Sequence, residues 1–209
     1  QLEWLILSHD DNDHSGGARA MLSAYPDIQL TTASQKRYGE KNTEENDRTF
    51  CLAGKQWAWQ GLRLTVLSPD NIVPRAENPD SCTLLLTDGK HNILLTGDAD
   101  LSVEYNILPK LDKIHVLQVG HHGSKTSTGE ALVRHTQPDI ALISSGRWNP
   151  WHFPHQTVVG RLTRHHAQLY NTAETGQISL LFEENGIKIQ TARAEFSPWY
   201  RRLIGLKGK

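Results

Sequence analysis

Leu7-Ser8-His9-Asp10-Asp11-Asn12-Asp13-His14-Ser15-Gly16-Gly17 is the stretch on which the reading of this chain turns. It follows an apolar strand, Leu2 to Ser8, and precedes Ala18 to Ala24, whose helix formers are stopped by Tyr25-Pro26. His9, Asp11, Asp13 and His14 put four ligand-bearing side chains into six residues, and they converge only if the loop is tight. Carboxylate oxygens mixed with imidazole nitrogens are the donor set that a pair of divalent cations takes. The competing reading is a polar turn whose aspartates cap the next helix. Gly16-Gly17 favours the first, because it lets backbone pack closely as the helix begins.

Working outward, the same unit of strand, polar cluster and helix recurs, four times in all. Ile93 to Thr96 ends at Gly97-Asp98, and an acid at the end of an apolar strand can bridge two cations, though Gly-Asp is also a common turn. Asp100, two residues on, reads as a helix cap. Ile114 to Val119 runs into Gly120-His121-His122-Gly123-Ser124-Lys125. A double histidine between glycines is seldom a packing solution, so it reads as ligand or catalytic, with Ser124 and Lys125 within reach of an anionic group. Ile140 to Ser144 leads into a tryptophan-rich loop, 146–154, that ends beside His155. The clusters fall where strands give way to loops, the place where sheet enzymes keep their chemistry. His91, His115, His135, His165 and His166 lack such surroundings and read as structural or surface residues.

The remaining pattern is that of one compact domain of 209 residues. Ile28 to Thr32 is a second strand, and 35–50 is a polar surface loop or frayed helix. Gln56 to Leu67 alternates as a half-buried hairpin does, and Pro69 to Pro79 is a connector. Cys82 to Thr87 and Ile93 to Thr96 are buried strands joined at Asp88-Gly89. Helices are expected over Leu101 to Leu111, over Thr128 to Thr136 with Thr128 as cap, and over Gln156 to His166. Ile178 to Glu183 and Ile187 to Ala192 form a hairpin over Asn185-Gly186. The domain is taken as 1–192, with a basic tail, 193–209, that can touch phosphates or lipid headgroups or be merely solvated. Lys and Arg total 22 against 23 Asp and Glu, so no whole-chain field draws in nucleic acid or anionic lipid. Cys51 and Cys82 have neither metal spacing nor the density of a disulfide scaffold, and the compartment is not readable from them. No apolar run approaches the roughly 18 residues of a membrane span, so the chain itself is expected to be soluble. No signal peptide is visible. The chain starts directly on a strand, as a fragment of something longer would.

In this order the four pieces resemble the metallo-β-lactamase superfamily and, more narrowly, the nuclease-like domain of the ComEC/Rec2 competence proteins, the inner-membrane DNA-uptake channel. The matching stretches are Leu7 to Gly17, Leu94-Leu-Thr-Gly-Asp98, Val119-Gly-His-His-Gly-Ser-Lys-Thr-Ser127, and Ser145-Gly146 through Phe153-Pro154-His155. The resemblance implies an α/β fold, the αβ/βα sandwich: two mixed sheets back to back, helices outside, metals at one edge, here lacking the fold's first N-terminal strands.

It also implies roles. His9 and Asp11 are ligands of a first metal, Asp13 and His14 of a second, with Asp98 bridging and His121 or His122 closing the second site. Lys125 and His155 join Asp98 as catalytic residues, and Ser124, Lys125, Arg147, Trp148 and Asn149 contact DNA. Asp11 in place of the more usual His hardens the first site and favours Mn(II) over Zn(II). The implied activity is a two-metal DNA phosphodiesterase that degrades the strand not entering the cell. Single-stranded DNA is the favoured partner, together with the membrane channel portion of the same protein, on the periplasmic side. Two departures stand out. Asn78 to Ser81 occupies the stretch where the superfamily commonly adds a histidine, and Phe153-Pro154-His155 replaces His-Pro-His. The rivals are a small-phosphodiester hydrolase resembling the phosphorylcholine esterases, and a metal-poor domain that binds DNA or braces the channel.

Overall fold

The computed structural model describes residues 2–38, 48–183 and 186–195. Most of the basic tail, part of the polar stretch 35–50 and Asn185 of the hairpin turn lie outside the described residues. Three strands, β1 (Trp4–Leu7), β2 (Gln29–Thr32) and β3 (Arg48–Phe50), form a parallel sheet in that order. Seven more, β4 (Gln56–Trp59), β5 (Leu62–Ser68), β6 (Thr83–Thr87), β7 (Asn92–Leu95), β8 (Val116–Gln118), β9 (Ile140–Ile143) and β10 (Gln168–Asn171), form a second sheet ordered β10-β9-β8-β7-β6-β5-β4. This sheet is antiparallel from β4 to β7 and parallel from β7 to β10. A separate hairpin joins β11 (Ile178–Glu183) to β12 (Gly186–Thr191). The helices are α1 (Asn12–Ser15), α2 (Ala18–Ala24), α3 (Leu101–Ile107), α4 (Glu130–Thr136), α5 (Gln156–Arg164), α6 (Thr172–Thr175) and α7 (Ala192–Glu195).

Alternation along the strands builds the layers. Leu94 faces α3, α4 and α5, in one core with Val103, Ile107, Leu132, Val133, Val158 and Leu162. Its neighbour Leu95 points the other way, into a core between the sheets with Val66, Leu84, Ala33 and Ile6. On the far side of the small sheet, Leu5, Leu7 and Leu30 pack on Ala18 and Leu22 of α2. Helix, sheet, sheet, helices: this is the αβ/βα sandwich that the sequence led us to expect.

Four expectations are corrected. The smaller sheet is parallel rather than mixed, because α2 carries the chain across from β1 to β2. The stretch 35–50, read as loop or frayed helix, ends in β3, whose three residues are too few to show a period. Edge strand β10 follows α5 with only half-buried side chains and escaped notice. Thr128 does not cap α4: it lies at φ +51°, the N-cap is Gly129, and the Thr128 hydroxyl accepts the Gly120 N–H at 2.9 Å.

Two buried features had no sequence signal. Cys51, just past β3, and Cys82, just before β6, form a disulfide with Cα atoms 5.8 Å apart in the core between the sheets. Its 31-residue separation corresponds to roughly 3–4 kcal/mol of constraint on the unfolded chain. On α3, Glu104 is buried and its carboxylate accepts the backbone N–H groups of Thr128 and Gly129.

Candidate metal centre

The loops after β1, β7 and β8 converge at one edge of the sandwich, around Asp98. His14 Nε2 lies 3.3 Å from Asp98 Oδ1, and the Nε2 atoms of His122, His121 and His9 lie 3.7, 3.8 and 3.9 Å from Oδ2. Asp13 Oδ2 is 3.1 Å from His122 Nε2 and 3.8 Å from His14 Nε2. Asp11 Oδ2 is 3.6 Å from His9 Nε2, while its other oxygen is 3.7 Å from Arg75. The structure therefore brings together all seven residues that the sequence nominated as ligands. Among the described residues, two groups have ligand atoms mutually within 4.8 Å: His9, His14 and Asp98, and Asp13, His14 and His122. The second contains the expected pair of Asp13 and His14, whereas in the first His14 rather than Asp11 joins His9.

The imidazoles are aimed from behind. His122 Nδ1 lies 2.8 Å from the Ser144 carbonyl, which can only accept, so Nδ1 carries the proton and Nε2 presents a lone pair inward. Ser8 Oγ lies 3.1 Å from His9 Nδ1 and 2.9 Å from His14 Nδ1, and one hydroxyl oxygen can accept from both. Asn78 Nδ2 and Thr126 Oγ1 lie 3.4 and 3.3 Å from His121 Nδ1. Such outer contacts fix tautomer and orientation, as partners of metal-bound histidines do. His9 is fully buried and its Nε2 has no hydrogen-bond partner. An orphaned nitrogen facing carboxylates is a costly arrangement unless a cation satisfies both. The residues thus fit a divalent metal.

Backbone strain at the centre points the same way. His121 and His122 sit at φ +47° and +55°, a left-handed conformation costing on the order of 1–3 kcal/mol per residue. Hydrogen bonds from His121 N–H to the Gly97 carbonyl (3.1 Å) and from Ser124 N–H to the His121 carbonyl (2.8 Å) hold the turn. Gly97 is required beneath it, at φ +56°: a Cβ there would meet Ser8 Cβ at 2.8 Å and Ser81 Cβ at 3.1 Å. Gln118 Oε1 accepts the N–H groups of Thr96 (2.8 Å) and Gly97 (2.9 Å), and Ser81 Oγ accepts that of Asp98 (3.1 Å). Burial works to raise the Asp98 carboxyl, but contact with His14 and the charges of His122 and His121 prevail and hold it below the usual carboxylate range. Burial and the charge of His14 push His9 down; His14 itself is raised, Asp98 overcoming the effect of its burial.

Sequence reasoning missed the supporting shell. Asp10 is buried and accepts from the Tyr38 hydroxyl, the Ser34 hydroxyl (3.1 Å) and the Ala76 N–H (2.7 Å), locking the ligand loop to its neighbours. Burial and the Asp10 hydrogen bond push the Tyr38 hydroxyl up to about 12. Ser8 adjoins the ligand-bearing stretch, but nothing in the residues themselves marked out Ser81 or Gln118. Asp100 caps α3 as expected, accepting from Ser102 and Val103 N–H groups.

The residues expected to meet substrate divide. Lys125 is exposed and, among the described residues, has no hydrogen-bond or ion-pair partner. Ser124 is buried with its hydroxyl on Thr126 at 2.9 Å, which argues against a direct DNA contact. Asn149 braces its loop: its amide holds Gly146 (2.8 Å) and both backbone groups of Phe153 (2.7 and 2.9 Å). His155 is exposed and caps α5, its Nδ1 accepting the Thr157 N–H at 3.2 Å. Trp148 and Trp151 are 88% and 70% exposed, with the Arg147 guanidinium 5.8 Å from the Trp148 ring. Phe153 lies 5.8 Å from His121 ring to ring and stacks on Trp151 at 6.4 Å, so the aromatic loop abuts the centre.

The metallo-beta-lactamase superfamily matches residues 1–147. The chain belongs to this superfamily. It is 56% identical over 205 residues to "Recombination protein 2" of Haemophilus influenzae, covering 98% of this chain and 25% of that protein. It is 33% identical over 198 residues to "ComE operon protein 3" of Bacillus subtilis, covering 88% of this chain and 25% of that one. The chain thus spans about a quarter of the length of these relatives, and the resemblance to competence proteins read from its motifs holds along its length. The solved structure of a metallo hydrolase from the archaeon Ignicoccus hospitalis superposes with a TM-score of 0.53 at 12% identity, covering 90% of this chain and 79% of that one, which bears on the fold alone. Among the described residues, no helix of this superfamily member is long and apolar enough to cross a membrane.

Proposed function

We propose that this domain is a metal-dependent phosphodiesterase that degrades DNA, acting on the strand that is not carried across the membrane during uptake. The observation that carries the reading is the convergence of four imidazole nitrogens on Asp98, with the carboxylates of Asp11 and Asp13 against those same rings. Two divalent cations, when bound there, would supply Lewis acidity to a phosphodiester and lower the pKa of a water, and the three carboxylates of the set suit Mn(II). His9, Asp11 and Asp98 would hold one ion, and Asp13, His14, Asp98 and His122 the other. His122 is favoured over His121 for the second ion because it reaches both Asp13 and His14.

The chain's own groups supply the rest. The free ammonium of Lys125 is available to the charge that builds on phosphoryl oxygens. Because His155 Nδ1 accepts a backbone N–H, its neutral ring carries hydrogen on Nε2 and can donate a hydrogen bond to a phosphoryl or leaving oxygen. Trp148 with Arg147, and Trp151 stacked on Phe153, suit bases splayed from a single strand. The likeness to Recombination protein 2 and to ComE operon protein 3 supports a place in DNA uptake. The buried disulfide supports an oxidising, extracytoplasmic compartment.

One observation favours the small-substrate rival. A cavity of about 530 Å³ beside His121 is lined by Asp11, Glu77 and Asp100 with Asn78 and Thr126, a wall suited to a cationic headgroup. Digestion of labelled single- and double-stranded DNA and of bis(p-nitrophenyl) phosphate and phosphorylcholine esters, each with Mn(II), Mg(II) and Zn(II), decides between them. We expect Mn(II)-dependent breakdown of single-stranded DNA; turnover of choline esters with intact DNA would transfer the domain to the esterases.

A further inference from the structure

Beneath the centre lie two hydroxyls, those of Ser8 and Ser81, and the disulfide adjoins both. Cys82 directly follows Ser81, and its N–H donates to the Ser8 carbonyl at 2.8 Å. Ser8 Oγ touches Nδ1 of His9 and of His14. Ser81 Oγ accepts the Asp98 N–H and lies 3.5 Å from His9 Nδ1. Cys51, at the other end of the bond, is tied to the smaller sheet through its N–H on the Thr32 carbonyl at 2.9 Å. Ser8 directly follows a strand of one sheet and Ser81 precedes a strand of the other. Their mutual position therefore depends on what clamps the two sheets together at this point, and the S–S bond is the covalent clamp.

We propose that the Cys51–Cys82 disulfide is a positioning element of the metal centre: by fixing Cys82 against Ser8 it sets the two hydroxyls that aim His9, His14 and Asp98, and with them the affinity for a divalent cation. The inference rests on the metal-centre reading above. Outer contacts to metal ligands are commonly worth 10–100-fold in affinity. A disulfide that merely staples the core would leave that affinity untouched in a protein that still folds.

The test is titration of Mn(II), a hard ion that thiols do not compete for, into four metal-stripped proteins: wild type, Cys51→Ala/Cys82→Ala, Ser8→Ala/Ser81→Ala, and the combination of all four changes. Circular dichroism at the working temperature establishes folding. The cysteine and serine variants should each bind Mn(II) about 10–100-fold more weakly than wild type. The quadruple variant should bind no more weakly than the serine variant, because the disulfide acts through those hydroxyls. Wild-type affinity in the cysteine variant, or fully additive losses in the quadruple one, overturns the inference. If the alanine pair does not fold, Cys51→Val/Cys82→Ala restores volume; failure of both to fold makes the bond a staple of the whole domain and also overturns it. Absence of Mn(II) uptake by the wild type overturns the centre itself, and this inference with it, so the two failures are told apart.

Discussion

His14 and His122 face each other with their Nε2 atoms 3.3 Å apart, beside Asp98 and Asp13. The Ser144 carbonyl takes the Nδ1 hydrogen of His122, so a neutral His122 ring presents a lone pair at that contact. An N–H on His14 Nε2 or a cation between the rings would satisfy it, and metal uptake would displace any proton held there.

Asp98→Asn should leave the fold intact and abolish hydrolysis, with a fall in rate of about a hundredfold or more, since an amide cannot balance two cations. Metal-dependent release of nucleotides by the folded variant, compared with wild type, checks this; wild-type rates would remove Asp98 from the site.

Metal occupancy should be unequal. Asp13 and Asp98 each contact both His14 and His122, whereas Asp11 is half-exposed and shares its carboxylate with Arg75. Calorimetric titration with Mn(II) should resolve one tight and one weak ion per chain, and two equally tight ions would point to a ligand not counted here.

Glu104 gives stability a pH dependence. Burial lifts its carboxyl from 4.5 to about 7, against the Thr128 and Gly129 N–H groups and Arg161, which pull it down. Because the folded value lies above the unfolded one, its contribution is complete below about pH 4.5 and is lost as pH rises through about 7. Glu104→Gln removes that slope. Chemical denaturation at pH 5 and pH 8 should show the variant gaining on wild type at the higher pH by on the order of 3 kcal/mol; an unchanged difference contradicts an ionising, buried Glu104.

Much of this was legible beforehand because ligand chemistry leaves dense local marks. His9 to His14 and His121-His122 announce themselves by residue type and by their position after apolar strands, and alternation along β4 and β5 with the apolar runs of β6 and β7 announces the larger sheet. Cys51 and Cys82 did not, since two isolated cysteines pair only once the strands have brought them together. Ser8, Ser81 and Gln118 are ordinary polar residues whose roles exist only across the fold. The bracing of Asn149 within its own loop is likewise something residue type cannot reveal.

The aromatic loop should set the choice of substrate. Trp148→Ala or Arg147→Ala should weaken single-stranded DNA binding by about 1–3 kcal/mol per lost stacked base, and binding by the wild type should fall steeply with salt. Cleavage of bis(p-nitrophenyl) phosphate should barely change in either variant. Fluorescence anisotropy over a salt series reads the first effect, and binding insensitive to both would show that this surface is not a DNA track.

Gly123 joins that loop to the centre. At φ +87°, a Cβ would meet Pro154 Cβ at 2.5 Å, so Gly123→Ala should push the loop away from the histidine turn. We expect a rise in KM for DNA larger than the rise for a small phosphodiester; equal effects would mean that the turn itself had moved.

The most direct test of the account is release of labelled nucleotide from single-stranded DNA by metal-stripped protein before and after Mn(II) is added back. The account predicts no release from the stripped protein and its restoration as the ion is titrated in. Release that persists in the presence of excess chelator, or a protein that takes up Mn(II) and leaves DNA intact, would contradict it.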